Sequence, residues 1–208
     1  MNETAAIAQP DGETRAKRLK AATHSAHEAL DSTIMAGKPF ASRDRFGLFL
    51  KVQHAFHRDI DALYDNAVLE ELLPDLQGRR RLGAVRQDLA DLGLEPEAVD
   101  TAPTFAADNV DLPTALGWLY VAEGSNLGAA FLLKAAAQLG LSDGFGARHL
   151  AGAPEGRGLH WRTFTAALDA VELSPEEEAR AIAGAEAAFN RVRGLVDRIF
   201  APAAAVAG

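Results

Sequence analysis

Cysteine is absent from these 208 residues. Its absence excludes disulfides, thiolate metal ligands, cysteine-held iron–sulfur clusters and a cysteine nucleophile. Positive charge is scarce as well: 21 Lys and Arg stand against 29 Asp and Glu, a net charge of -8, so there is no general basic face for nucleic-acid phosphates. One local exception is the cluster Arg15, Lys17, Arg18 and Lys20, which suits either a small anion or a solvated helix face. No apolar run is long and uniform enough to span a bilayer, because Glu123, Ser125 and Asn126 interrupt the best candidate. The first residues include Asp11 and Glu13 and hold no apolar signal segment, so a reducing, cytoplasmic setting is expected. Strand alternation, hairpin turns, a glycine-rich phosphate loop and a repeat are all missing too, which leaves an all-α fold.

The chain reads as a flexible tail over 1–13, one helical domain over 14–200 and a frayed tail over 201–208. Apolar spacing predicts helices over 14–31, 42–66 with Ser42 as cap, 78–92 stopped by Gly93, 161–171 and 175–200, the last opened by the capping box of Ser174 and Glu177. Arg79, Arg80 and Arg81 would open the third helix, against its macrodipole. The segment 142–158, with His149 and Arg157, reads as a loop.

The most informative stretch is 116–133, LGWLYVAEGSNLGAAFLL, which reads as helix between Pro113 and Gly140. Gly124 and Gly128 fall inside it on nearly one face, each costing about 1 kcal/mol against alanine. Close approach of the backbone to another body is the natural reason, and from these residues alone a tight helix crossing is the expected one, since small residues are common at helix contacts and ligands are rare. Histidines occur as His24 with His27 and His54 with His57, and Lys20 shares a face with His27 two turns on. Imidazole is the natural metal ligand in a chain without cysteine, but the paired Glu-x-x-His pattern of a two-metal carboxylate site is lacking.

LKAATHSAHEALD, ending at Asp31, resembles the proximal-helix segment of heme oxygenases, and YVAEGSNLGAAFLLK, starting at Tyr120, is similar to the distal helix of their bacterial branch. FLKVQHAFHRDIDALY and FGARHLAG extend the resemblance, so that it covers nearly everything from Ala16 to Phe200. It implies a single-domain helical bundle with heme sandwiched between proximal and distal helices. It further implies His27 as iron ligand, Gly124 and Gly128 against the heme, and a chemistry in which heme is both cofactor and substrate, opened with dioxygen to biliverdin, ferrous iron and CO. Mammalian members carry an aspartate where this chain has Ser125, and a glycine where it has Ala129. The bacterial pattern instead implies water organised by Gln53, His57, Arg81 and Trp161. Lys20 and Tyr120 match propionate-holding positions of members that cleave at the α-meso carbon. An electron donor is required, a ferredoxin or a flavoprotein reductase. Two rivals share parts of the pattern: a heme carrier without turnover, and a helical relative with two non-heme metals.

Overall fold

The computed structural model describes residues 13–96, 102–106 and 110–205, the side chains of 202–205 excepted. The expected N-terminal tail therefore lies, but for residue 13, outside the described residues, as do 206–208. The described residues contain helices and no strand beyond isolated bridges of Ser142 to Phe145 and Gly146.

Local chemistry sets the helix ends. Helix α1 (Arg15–Ala36) is capped by the Thr14 side chain and stops at Gly37, five residues past the expected end because nothing before Gly37 breaks the periodicity. Ser42 caps α2 (Arg43–Asp59), its hydroxyl accepting from the Arg45 N–H at 3.2 Å. The expected helix to residue 66 is cut short. A 3-10 turn Asp61–Asp65 follows, and Asn66, whose side chain accepts from the Leu69 N–H, starts a new helix α3 (Ala67–Leu72). Helix α4 (Leu82–Asp91) begins after the three arginines, with Arg79 and Arg80 at the end of a preceding 3-10 turn, so only the N-cap Arg81 stands against its dipole. Gly93 ends it at φ 65°.

Helix α5 (Leu112–Ala137) has Asp111 as cap and Pro113 in its first turn, with Gly140 at φ 72° beyond its end. Helix α6 (Arg157–Ala170) starts four residues earlier than the apolar spacing indicates, directly after Gly156 at φ 88°. The capping box forms as expected at α7 (Pro175–Ala205): Glu177 N–H donates to Ser174 Oγ at 3.3 Å and Ser174 N–H to Glu177 Oε2 at 2.8 Å. Helix α7 continues to Ala205, past the expected boundary at residue 200.

Helix α7 is the spine. Helices α1, α2 and α5 pack along it, while α1 and α5 make little direct contact with one another. At the α5–α7 crossing the backbones are close enough that a Cβ at Gly117 would lie 2.6 Å from the Ala185 nitrogen, and one at Gly184 2.5 Å from the Thr114 oxygen. Leu116, Leu119, Phe46, Leu50, Phe164 and Leu195 fill the core around it, each worth about 1.5–3 kcal/mol of burial. The start of α1 is pinned by a buried charge. Arg15 donates to the carbonyls of Leu168 and, at 2.6 Å, Val171, and pairs with Glu178 at 2.7 Å. Arg18 reaches the same carboxylate at 2.9 Å. The basic cluster of the sequence is thus half structural, and only Lys17 and Lys20 remain exposed.

Candidate functional site

Because α1 and α5 are each braced on α7 and not on each other, a gap is left between them. It is a cavity of about 600 Å³, within the range of small-molecule sites. Helix α1 supplies Lys20, His24 and His27; α5 supplies Tyr120, Gly124, Ser125 and Gly128; Gln53, Trp161 and Phe189 come from α2, α6 and α7. Its walls are mainly apolar, and the exposed Met35, Leu127 and Phe131 ring it with further apolar surface, Phe131 being 79% exposed. Such contiguous apolar exposure around a cavity marks a binding site rather than a finished surface.

The two glycines take their meaning from this gap. A Cβ at Gly128 would meet nothing within 4 Å, and one at Gly124 would only touch the Trp161 ring at 3.6 Å. Packing does not demand glycine at either position. The tight crossing lies about two and three turns earlier at Gly117, so it cannot account for Gly124 and Gly128, and what remains is a flat strip of backbone facing the cavity.

His27 lines the cavity with its ring edge-on to Phe189 at 5.7 Å, and its Nδ1 is 3.4 Å from Asp31. His24 lines it too and pairs with Glu28 at 3.4 Å, so the two imidazoles differ in neighbours rather than in access. Tyr120 is buried, tilts against Trp161 at 5.5 Å, and burial pushes its phenol pKa up, keeping it a hydrogen-bond donor. Trp161 in turn stacks on Phe164 at 5.8 Å. Ser125 donates its hydroxyl to the Ala122 carbonyl at 2.7 Å.

A second, small chamber of about 40 Å³ adjoins the first, sharing Phe49, Gln53, Ser125 and Leu132 with it and adding His57, Asn126 and His149. By volume it holds about two or three waters. Burial, then the nearby His149, Arg81 and His54, lower the His57 pKa to about 3, so its ring is neutral. Arg81 lines neither cavity. It sits at the start of α4 with Nε buried and unpaired, near enough to bear on His57, Tyr64 and Arg157. Gln53, His57 and Trp161 are therefore brought to the two cavities, whereas Arg81 stands behind them.

Sequence reasoning missed two buried clusters. Arg79, 2% exposed, donates to Glu123 at 2.8 Å and to the Pro74 carbonyl at 3.0 Å, and the same Glu123 lies 3.5 Å from His160, whose other nitrogen meets Glu155 at 2.7 Å. Glu123, then Glu155, raise the His160 pKa. The signal was Glu123 itself, a lone carboxylate in an apolar helix, which burial would oblige to find a cation. The other cluster is His149 with Asp88, a pairing between a loop and α4 that no local pattern announces. Among the described residues no three His, Asp or Glu side chains converge as ligands of a metal ion.

A fit to heme can be judged on these features. A flat, rigid, largely apolar ligand needs an apolar slot, a backbone strip without Cβ atoms on one side, an imidazole on the other and cations or donors at the edge, and each is here. The heme oxygenase family model matches residues 13–198. The heme oxygenase PigA of Pseudomonas aeruginosa is 47% identical over 187 residues, 90% of this chain and 93% of that protein. The crystal structures of the NO- and CO-bound heme oxygenase from Neisseria meningitidis match with a TM-score of 0.85 at 46% identity, covering 91% of this chain and 94% of the other. At 13% identity, the heme complex of heme oxygenase-1 from the cyanobacterium Synechocystis shares the fold, with a TM-score of 0.67 over 93% of this chain and 97% of its own.

Proposed function

The chain belongs to the heme oxygenase family and is an enzyme of heme cleavage, and from that premise we propose how its residues divide the work. His27 is the iron ligand, and Gly124 and Gly128 are the strip against which the opposite heme face lies. The open space before Gly128, in a helix where glycine is otherwise a cost, is the observation that carries this reading. When bound, heme supplies both the oxygen-activating iron and the carbon skeleton that is opened.

The protein's contribution is orientation and protons. The α5 backbone limits the height above the ring, and Ser125 cannot intrude because its hydroxyl is tied back to Ala122. Gln53 and the neutral His57, with water in the small chamber, pass hydrogen bonds toward the large cavity while apolar walls keep bulk solvent out. Arg81 acts from behind, through its field on His57. Lys20 and the neutral Tyr120 phenol hold the propionates, which sets rotation of the ring in its plane and directs opening to the α-meso carbon. Lysine is a flexible point charge, so its hold is modest and needs the phenol. Electrons come from a ferredoxin or flavoprotein reductase, in a cytoplasmic setting.

Supplying heme, dioxygen and a reductant should yield biliverdin, and chromatography of its isomers reads the regiochemistry. Mostly α product that spreads to other isomers in the Lys20→Ala, Tyr120→Phe double variant is the expected outcome. Mostly β or δ product from the unmodified protein would sink the propionate assignment while leaving the cleavage itself intact.

A further inference from the structure

The small chamber is faced by two imidazoles, and they are built differently. His57 has no partner at Nδ1. His149 is carried by the 3-10 turn Arg148–Leu150, is 4% exposed, and is held between the rings of Phe46 and Phe49 at 6.5 and 6.1 Å. Its Nδ1 lies 2.7 Å from Oδ2 of Asp88. Asp88 is itself wholly buried and immobilised, since Oδ1 accepts the Arg148 N–H at 2.8 Å and Oδ2 the His149 N–H at 3.0 Å. A carboxylate that only accepts obliges Nδ1 to be the N–H of the neutral ring. Nε2 then presents a lone pair, and this atom is buried with no protein partner, in a residue lining the chamber. Left bare, such an atom is costly, and the chamber has room for the water that would satisfy it.

We propose that His149, oriented by Asp88, is the proton-holding group of this chamber, with Asp88 a positioning residue. This rests on the heme-cleavage reading above, because that reaction consumes protons in the adjoining large cavity. A proton from solvent adds to Nε2, and the resulting imidazolium faces the Asp88 carboxylate across 2.7 Å. Nε2 then returns the proton to chamber water as that water releases one of its own past Gln53 and Ser125, the residues common to both cavities. The ring ends neutral, with Nδ1–H unchanged, ready for another proton. His57 cannot take this part. It has no carboxylate behind it, so it can pass a hydrogen bond but not carry the charge.

The direct test is long-range nitrogen–proton NMR of histidine-labelled apo protein, which assigns the His149 tautomer. The expected result is Nδ1–H with a bare Nε2, lost or mixed with the other tautomer in Asp88→Asn. A His149 ring protonated at Nε2 alone in the unmodified protein would overturn the proposal. Because Asp88→Asn also removes a backbone acceptor, His149→Phe is the second variant, a ring that fits between Phe46 and Phe49. It should bind heme with unchanged affinity and form biliverdin at least about tenfold more slowly, a conservative share of what positioned acid–base groups contribute. Unchanged turnover in His149→Phe would overturn the relay. An unmodified protein that binds heme but never opens it, with the Nδ1–H tautomer in place, would instead overturn the cleavage reading on which the relay depends.

Discussion

At the scale of single residues the proposed site turns on which of two similar imidazoles would meet the iron. His24 and His27 are both exposed on α1 and both line the cavity, but only His27 packs against the α7 ring of Phe189. His27→Ala should lose the nitrogen ligand in the ferric heme spectrum and recover part of its turnover with added imidazole, while His24→Ala stays near normal. The opposite pattern would move the ligand one turn. A different residue governs pH. His57 is buried neutral with its pKa lowered to about 3, so between that value and the ordinary 6.5 the unfolded chain binds the extra proton. Its stabilising contribution is present above pH 6.5 and is lost as pH falls toward 3, by up to about 1.4 kcal/mol per unit. Thermal melts from pH 7 to 5 should drop more steeply for the unmodified protein than for His57→Gln, and parallel slopes would contradict the burial argument. His54, lowered by burial and by Arg86 and Arg58, acts in the same sense, and the raised His160 acts oppositely, losing its contribution as pH rises through its folded value.

At the scale of elements, α5 holds glycine in two different settings. Gly117 lets the helix cross α7, and Gly128 faces open space at the cavity. Valine substitutions should separate them. Gly117→Val forces backbone apart and should cost about 1–3 kcal/mol or more of stability. Gly128→Val meets open space, so the fold should melt almost normally while heme binding or biliverdin formation fails. Denaturant midpoints alongside heme titrations decide this. A Gly128→Val protein with normal turnover would leave that glycine without a ligand to explain it.

The whole molecule is a spine with two walls, and its stability is unevenly supported. Helices α1 and α5 share α7 as a brace and are otherwise separated by the cavity, so a ligand touching both supplies a contact that the chain itself lacks. By mass action a ligand at about a hundred times its Kd adds about 2.7 kcal/mol. Heme should therefore raise the melting temperature by several degrees, and His27→Ala should reduce the increment. No shift with saturating heme would argue that the walls do not close on it.

How much of this was legible beforehand differs by kind of interaction. Ser42, the Ser174–Glu177 box, Gly93, Gly140 and the course of α5 could be read directly, because caps, stops and apolar periodicity act over a few neighbouring residues. The two walls were legible through the resemblance of the segments around His27 and the α5 glycines to heme oxygenases, not through local periodicity. What only the tertiary structure decided is which partners meet across the chain. Arg79 turning inward to Glu123, Arg15 leaving a surface patch to pin α6 and α7, and Asp88 meeting the His149 ring pair groups 44 to 163 positions apart. Whether a charge faces water or a buried counter-charge depends on what packs over it, and no local pattern encodes that. The same holds for the glycines: a glycine in α5 can serve a crossing or face open space, and only the position of α7 separates Gly117, at the crossing, from Gly128, beside the cavity.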